Sequence, residues 1–442
     1  MMSDVIPPPT TSPSPAPDAG AGDGARRLGR LTAKVKDPLG PNYRKLWIAA
    51  TISNLGDGVR LTALPLMAAT LTRDPARIAG IEFASTLPWF LFALLSGALV
   101  DRVDRRVAMG ASNILRAALV GALAVAVVAG GETLVLLYVI AFLLGSAETI
   151  FDNASQAILP ALVRKDQLER ANGRMYAAEF ITNQFAGPPL GALLFVTAAA
   201  TPFFLDSASF LIAALLILSF SGSFRTPRDE DSPRPTLRAD IAEGLRWLWN
   251  HRLLRALAIM LGIWNGLSMA TAAIFVLFAL ELLGVSEIGF GILASSFVVG
   301  SVLGSMVASR LSKRLGPGTT LFLQVLLGAG ASLVIGLTSN PILVGAMFAV
   351  EGFTAVTWNV ITVSLRQSII PDRLLGRVNS VYRLLGWGIM PIGAALGGFL
   401  GAVFGLRSPF FVQAAALAVM AGFALRLLSN RAIADARAVA EA

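Results

Sequence analysis

Five ionisable residues stand inside apolar runs of this chain: Asp57, Arg60, Arg116, Glu148 and Glu351. Hydrocarbon solvates charge poorly, so each must be paired or used. Asp57 and Arg60 are three residues apart, near enough on a helix to pair. Glu148 and Asp152 are four apart and share a helical face. Two carboxylates so close resist ionising together, and one of them can load and release a proton. The candidates for carrying protons are Asp57 first, Glu148 second and Glu351 third, with Asp152 beside Glu148 and with Arg60 and Arg116 as charge partners. A plainer alternative is a structural network pairing Asp57 with Arg60 and Glu148 with Arg116. Glu82, Asp206 and Glu281 lie nearer the span ends and read as interfacial.

The elements that hold these residues are apolar helices. Of 442 residues, 55% are hydrophobic and 14% charged, with a mean hydropathy of +0.69. A soluble domain of this size needs more charge to wet its surface. Crossing the bilayer takes about 20 apolar residues in a helix. Twelve such runs follow one another, from 46–70 to 409–428. Alternate loops carry Arg102, Arg105 and Arg106, then Arg164, Lys165 and Arg170, the Arg-rich 223–255 segment, Arg310, Lys313 and Arg314, and Arg373 and Arg377. The other loops offer only Arg73, Arg77 and Arg407. The positive-inside bias then puts both termini in the cytoplasm and the chain in the cell membrane as a multi-pass protein.

Sliding the second half onto the first by 207 residues aligns Gly97 with Gly304, Gly121 with Gly328, and Gly145 with Gly352. The same shift aligns Arg170 with Arg377 and Asn172 with Asn379, a polar match in equivalent loops. The reading is an all-α membrane protein with twelve transmembrane helices in two pseudo-symmetric six-helix bundles. The bundles cover 44–221 and 256–428. Such a parallel repeat places a substrate site between its halves near the midplane, and rocking exposes each side in turn.

Residues 1–43 read as a disordered cytoplasmic tail without a secretory signal. The join, 222–255, reads as a linker with an amphipathic helix along the cytoplasmic surface. Residues 429–442 read as a cytoplasmic C-terminal tail. His251, the only histidine, reads as a solvated residue of the linker. With no cysteine in the chain, no disulfide framework or thiolate metal site is possible. No cofactor is expected. The net charge of +9 lies in short loops between spans, which points to topology rather than nucleic acid. A monomer is expected.

At the end of the second span the chain reads Gly97-Ala98-Leu99-Val100-Asp101-Arg102-Val103-Asp104-Arg105-Arg106. This resembles the signature of the major facilitator superfamily between helices two and three, with Asp104 where the general pattern has Gly. The DRxDRR form, followed by Arg116, is similar to the branch containing enterobactin exporters and macrolide-efflux proteins. Gly56-Asp57 with Ala63-Leu64-Pro65, the stretch Phe204 to Phe210, and Glu243-Gly244-Leu245-Arg246 resemble that branch as well. The resemblance spans roughly 44–428. Gly187-Pro188-Pro189-Leu190-Gly191 resembles the antiporter motif of exporting branches, which implies export. It departs at Ala192 and lacks the upstream part, and the arginine of helix four in drug–proton antiporters has no counterpart.

Physically, Asp101 with its arginine neighbours suits a conformational latch. Its carboxylate can face the start of helix eleven near Asn379 and Ser380, with Arg377 close by, a helix-end contact of about 1–2 kcal/mol made in the outward-facing state only. The plainer alternative is charge that sets topology. Trp89, Trp264, Trp358 and Trp387 fall inside spans and are candidate walls of a cavity for a bulky amphipathic ligand.

No G-x-x-x-x-G-K-[ST] loop serves nucleotide phosphates. No Ser–His or Cys–His pair serves hydrolysis within the spans, so an enzyme is not expected. The expected function is secondary active export of small amphipathic molecules, a drug, antibiotic or siderophore, by alternating access coupled to proton entry. Import of a solute, lipid flipping and a non-transporting sensor are the alternatives.

Overall fold

The computed structural model describes residues 39–100, 102–222, 224–225 and 237–441, and the regular structure among them is helical. The first half comprises α1 (Pro41–Leu71), α2 (Pro75–Val100), α3 (Arg105–Val128), α4 (Leu134–Leu162), α5 (Leu168–Glu179), α6 (Gly187–Thr197) and α7 (Thr201–Leu218). A π-helical stretch, Phe180–Ala186, joins α5 to α6. Next come α8 (Leu237–Asn250), α9 (Arg252–Ala272) and the short α10 (Phe275–Leu277), which runs into a π turn at Phe278–Leu282. The second half continues with α11 (Glu287–Leu315), α12 (Pro317–Leu337), α13 (Pro341–Ile369), α14 (Asp372–Trp387), α15 (Met390–Phe404), α16 (Ser408–Leu427) and α17 (Asn430–Glu441). Among the described residues, nine helices are long and apolar enough to cross a membrane.

Local signals set the helix starts. Proline, which lacks an N–H that the first turn would leave unused, opens α1, α2, α12 and α13. The side chains of Thr133, Ser286 and Asn340 cap α4, α11 and α13. Asp104 caps α3, accepting from the Arg106 N–H at 2.9 Å, and also accepts from the Phe224 N–H at 3.1 Å. Burial alone would raise its pKa, but those two N–H groups and the Arg106 charge hold it below the usual carboxylate range. A depressed folded-state value means that its contribution is full above the unfolded pKa and fades as pH falls through the folded one. Asp104→Ala is therefore expected to cost about 1 kcal/mol at neutral pH. The difference from wild type in thermal unfolding should shrink below about pH 4.

The spacing of the repeat reappears in the elements. The start and end of α13 lie 207 residues beyond those of α4 (341 − 134 and 369 − 162), and α16 starts 207 beyond α7 (408 − 201). In each half glycines let helices pack backbone to backbone, α6 and α15 among them. On α6, a Cβ at Gly187 would lie 2.5 Å from the Gly58 Cα of α1. On α15, a Cβ at Gly397 would lie 1.9 Å from the Ala270 carbonyl of α9. Only glycine permits such approaches.

These two helices also carry the contact between halves. Gly291 of α11 meets the Pro188 carbonyl of α6, and Gly398 of α15 meets Ala76 and Ala79 of α2. The Ser295 hydroxyl donates to the Phe185 carbonyl at 3.0 Å. One buried core runs continuously through this region, taking Ile78, Ala192 and Phe203 from the first half with Phe278, Phe290 and Ala394 from the second. The seal lies away from the Arg-rich loops. At the Arg-rich end, hereafter the basic end, a separate core around Leu254, Tyr382 and Leu417 belongs to the second half alone. Large apolar side chains point outward all round, among them Leu95 (61% exposed), Val128 (70%) and Ile342 (83%). Such an exterior is stable only in lipid.

Residues 430–441, in the expected C-terminal tail, form α17, with Ile433 buried and Asn430 Oδ1 accepting from the Gly318 N–H at 2.7 Å. One expectation is corrected. His251 is not simply solvated. It is half-buried, stacks on Trp247 at 5.4 Å, and its Nδ1 accepts from the Leu254 N–H to cap α9. The linker helix is α8, which the Glu243–Arg377 ion pair ties to α14. Residues 1–38, including most of the expected N-terminal tail, lie outside the described residues.

Candidate functional site

A chain of charges crosses the middle of the first half. Arg60 of α1 donates from Nη2 to Asp57 Oδ1 at 2.5 Å and from Nε to Asp206 Oδ2 of α7 at 2.9 Å. Arg116 of α3 reaches Asp57 Oδ1 at 3.9 Å and Glu148 Oε2 of α4 at 3.6 Å. Its guanidinium also lies 4.6 Å from the Phe210 ring centroid and 5.6 Å from that of Phe151, which adds cation–π attraction. Four helices thus converge on two arginines and three carboxylates. Both pairs expected of a structural network, Asp57 with Arg60 and Glu148 with Arg116, are present.

Asp206 is a correction. Its position near a span end suggests an interfacial acid, yet the side chain is fully buried and bonded to Arg60. Gly56 makes the room, since a Cβ there would fall 2.5 Å from Asp206 Oδ1. Glu82 is half-buried and lines a cavity, whereas Glu281 is exposed beside Arg73 at 3.7 Å.

The network borders open space on two sides. One cavity of about 270 Å³ runs from Asp57, Arg116 and Glu148 past Asp152 to Asn172 and Tyr176 at the basic end. A second, of about 250 Å³, extends past Arg60 to Glu82 and Trp89. Asp57, Glu148 and Asn183 line both. Glu179 of α5 adds a further carboxylate to the first cavity. Glu82, Glu179, Asn183 and Asp206 are the site residues that sequence reasoning missed. The adjacent Gly56, a missing side chain one turn from Arg60, was the available signal for Asp206.

The other sequence candidates separate. Glu351 sits in the second half, accepting from the Ser332 hydroxyl at 2.9 Å, apart from the charge chain. Trp89 and Trp387 meet edge to face across the two halves at 5.3 Å beside the cavity. Trp264 and Trp358 are buried against each other at 5.7 Å inside the second half. Gly187, Pro188 and Gly191 serve close packing: Gly187 and Gly191 against α1, Pro188 against α11.

Of the latch residues, Asp101 lies outside the described residues, and Gly97 lies within α2. Arg105 donates to the Ala157 carbonyl at 2.9 Å and Arg106 to that of Phe220 at 2.8 Å. Arg102 is exposed and Asn379 half-buried, while Arg377 is held by Glu243. Among the described residues no group of acids and histidines suits a metal ion.

The profile of one protein family, described as transmembrane secretion effector, matches residues 38–441. Among similar proteins is the multidrug efflux pump Tap of Mycolicibacterium fortuitum, 27% identical over 82% of this chain and 90% of its own length. Tap of Mycobacterium tuberculosis is 27% identical over 89% of this chain and 94% of its own. The enterobactin exporter EntS of Escherichia coli is 25% identical over 82% of this chain and 86% of its own. In fold the chain is similar to the nucleoside transporter NupG (TM-score 0.70, 12% identity, 87% of this chain and 98% of that one). It is also similar to an inward-facing bacterial homologue of ferroportin (TM-score 0.69, 16% identity, 88% and 98%). With nearly the whole length matched, the chain belongs to the transmembrane secretion effector family of major facilitator superfamily transporters.

Proposed function

We propose that this protein exports small amphipathic molecules from the cytoplasm, driven by proton entry. The observation that carries the reading is the charge chain Asp206–Arg60–Asp57–Arg116–Glu148 at the head of a cavity open toward the basic end. Its carboxylates outnumber its arginines, so a proton arriving on one of them changes which arginine contacts hold. The Tap and EntS names supply the direction, export, and the range from drugs to a siderophore. Work on a substrate here is movement, not bond chemistry.

The topology that supports this counts α1, α2 and the α5–α6 run with the nine spans already noted. That gives twelve crossings in two halves, with the first half ending near 221 and the second starting near 256. The positive-inside bias places the basic end in the cytoplasm, with both termini, in the cell membrane. The sealed far side and open basic side then make this an inward-open arrangement. Substrate enters between the halves near the Trp89–Trp387 pair, and rocking exposes it outward. The protein works as a monomer, with Asp57 and Glu148 as the proton carriers, Asp152 as their neighbour, and no role for nucleic acid.

Proteoliposomes test this with a panel of amphipathic fluorescent dyes. An imposed proton gradient is expected to drive dye movement, and each dye pulse to move protons. Asp57→Asn and Glu148→Gln should each cut the gradient-driven rate at least about tenfold, the effect of losing 1.4 kcal/mol of coupling. Wild-type coupling in both variants and in Glu351→Gln would remove the proton from the proposal.

A further inference from the structure

The second half brings one cation to the wall opposite the carboxylates. Arg383, on α14, is exposed between the halves, its guanidinium 4.8 Å from the ring centroid of Trp387. That ring rests edge-on against Trp89 of the first half, so the base of Arg383 is braced at the point where the halves meet. From there Arg383 Nη1 reaches Gln156 Oε1 of α4 at 3.5 Å, a long contact with a neutral acceptor.

Gln156 is the lowest rung of a stripe. Glu148, Asp152 and Gln156 follow at four-residue intervals on α4, and all three line the same cavity. One turn above the present partner of Arg383 is therefore a carboxylate, about 6 Å along the helix axis. Among the described residues Asp152 has neither an ion pair nor a hydrogen bond. Arg116 is engaged by Glu148 and Asp57. Glu179 lines the same cavity from a different helix, α5, and is an anion like Asp152.

We propose that Arg383 is the mobile counter-charge of Asp152. It rests on Gln156 while the basic end is open and advances one helical turn to pair with Asp152 when that end closes. Two halves held mainly at the far end close by bringing the inner parts of α14 and α4 together, and one-turn advances of one element past another are an established way to switch packed interfaces. A charge-assisted pair is shorter and stronger than the contact it replaces. Because it exists in one state only, its whole free energy biases the equilibrium toward closure. The role is positional, since Arg383 sets the population of the closed state. The inference rests on the alternating-access reading above.

The chain has no cysteine, so introduced ones report alone. In proteoliposomes, the pair Gln156→Cys with Arg383→Cys is expected to be joined by a short bismaleimide at rest. The pair Asp152→Cys with Arg383→Cys should be joined mainly when a proton gradient and transported dye drive turnover. Arg383→Gln and Asp152→Asn should each raise the cycling-state labelling rate of a reporter, Asn172→Cys at the cavity mouth, by about five- to tenfold. The double variant should add nothing further, because both changes remove one contact. A protein that transports dye yet never joins positions 152 and 383, or whose single effects add, overturns the inference and leaves the transport reading intact. Joining at 152 and 383 in a protein that moves no dye supports the inference while rejecting transport.

Discussion

Replacing Arg60 by leucine is expected to lower the stability of the purified protein by about 3–5 kcal/mol, the cost of stranding buried charge. Arg60 is the only cation among the described residues within ion-pair distance of Asp206, whose side chain is fully buried. It also provides the shortest ion pair to Asp57, with Arg116 standing back at 3.9 Å. Without it, two carboxylates in a low-dielectric setting share one distant arginine that Glu148 also occupies. The double variant Arg60→Leu with Asp206→Leu should recover much of the loss, because removing a buried pair together costs far less than breaking it. Transport should fail in both variants. Thermal unfolding in one detergent at one pH measures the first effect and dye flux the second. A single variant as stable as wild type would mean that the Arg60–Asp206 contact contributes nothing.

The second large effect is steric. Gly187→Leu is expected to destabilise the protein by about 1–3 kcal/mol and to reduce transport out of proportion to that loss. Its Cβ would meet the Gly58 Cα at 2.5 Å, a backbone atom that cannot step aside. The strain must be relieved by sliding α6 away from α1. But α6 is also pressed against α11, where Gly291 faces the Pro188 carbonyl. Movement therefore shifts the halves against each other and displaces α1, which carries Asp57 and Arg60. Gly173→Ala is the control: in α5, with no atom within 4 Å of its Cβ, it should be neutral or stabilising by a few tenths of a kcal/mol. Equal transport in the two variants would show that close packing of α6 is irrelevant to function.

Much of this arrangement was legible because few physical rules govern spans. Apolar runs long enough to cross hydrocarbon marked the nine helices that are long and apolar enough to span among the described residues, and the 207-residue shift anticipated the spacing of α4 with α13 to the residue. Asp57, Arg60, Arg116 and Glu148 stood out because charge is rare in such runs, and helical spacing alone put Asp57 beside Arg60. Asp206 lies close to the end of its own apolar run yet sits beside Arg60. Depth counted along one helix ignores the neighbour, and Gly56 on α1 opens the slot that lets Asp206 meet Arg60. The tryptophans show the converse limit. At the same 207-residue shift Trp264 occupies the place of Asp57, so a position that holds charge in one half holds a packed ring in the other, while Trp358 takes the place of Phe151. Sequence marks the four as similar; the surrounding helices make Trp89 and Trp387 a boundary and Trp264 and Trp358 filling. Arg383 went unnoticed because its setting between halves exists only in three dimensions.

The π-helical stretch Phe180–Ala186 divides the α5–α6 run into a lower and an upper length, and the interruption between α14 and α15 at Gly388 and Ile389 divides the matching run. A uniform α-helix transmits a push at one tip stiffly to the other. A segment with an extra residue per turn has misaligned backbone bonds and yields first. Each run can therefore flex below its glycine contacts while those contacts stay closed, as the two legs of a peg squeeze without the spring letting go. Mechanical compliance is thus built in at two symmetry-related joints, and stiffening either one should slow the cycle without altering what binds.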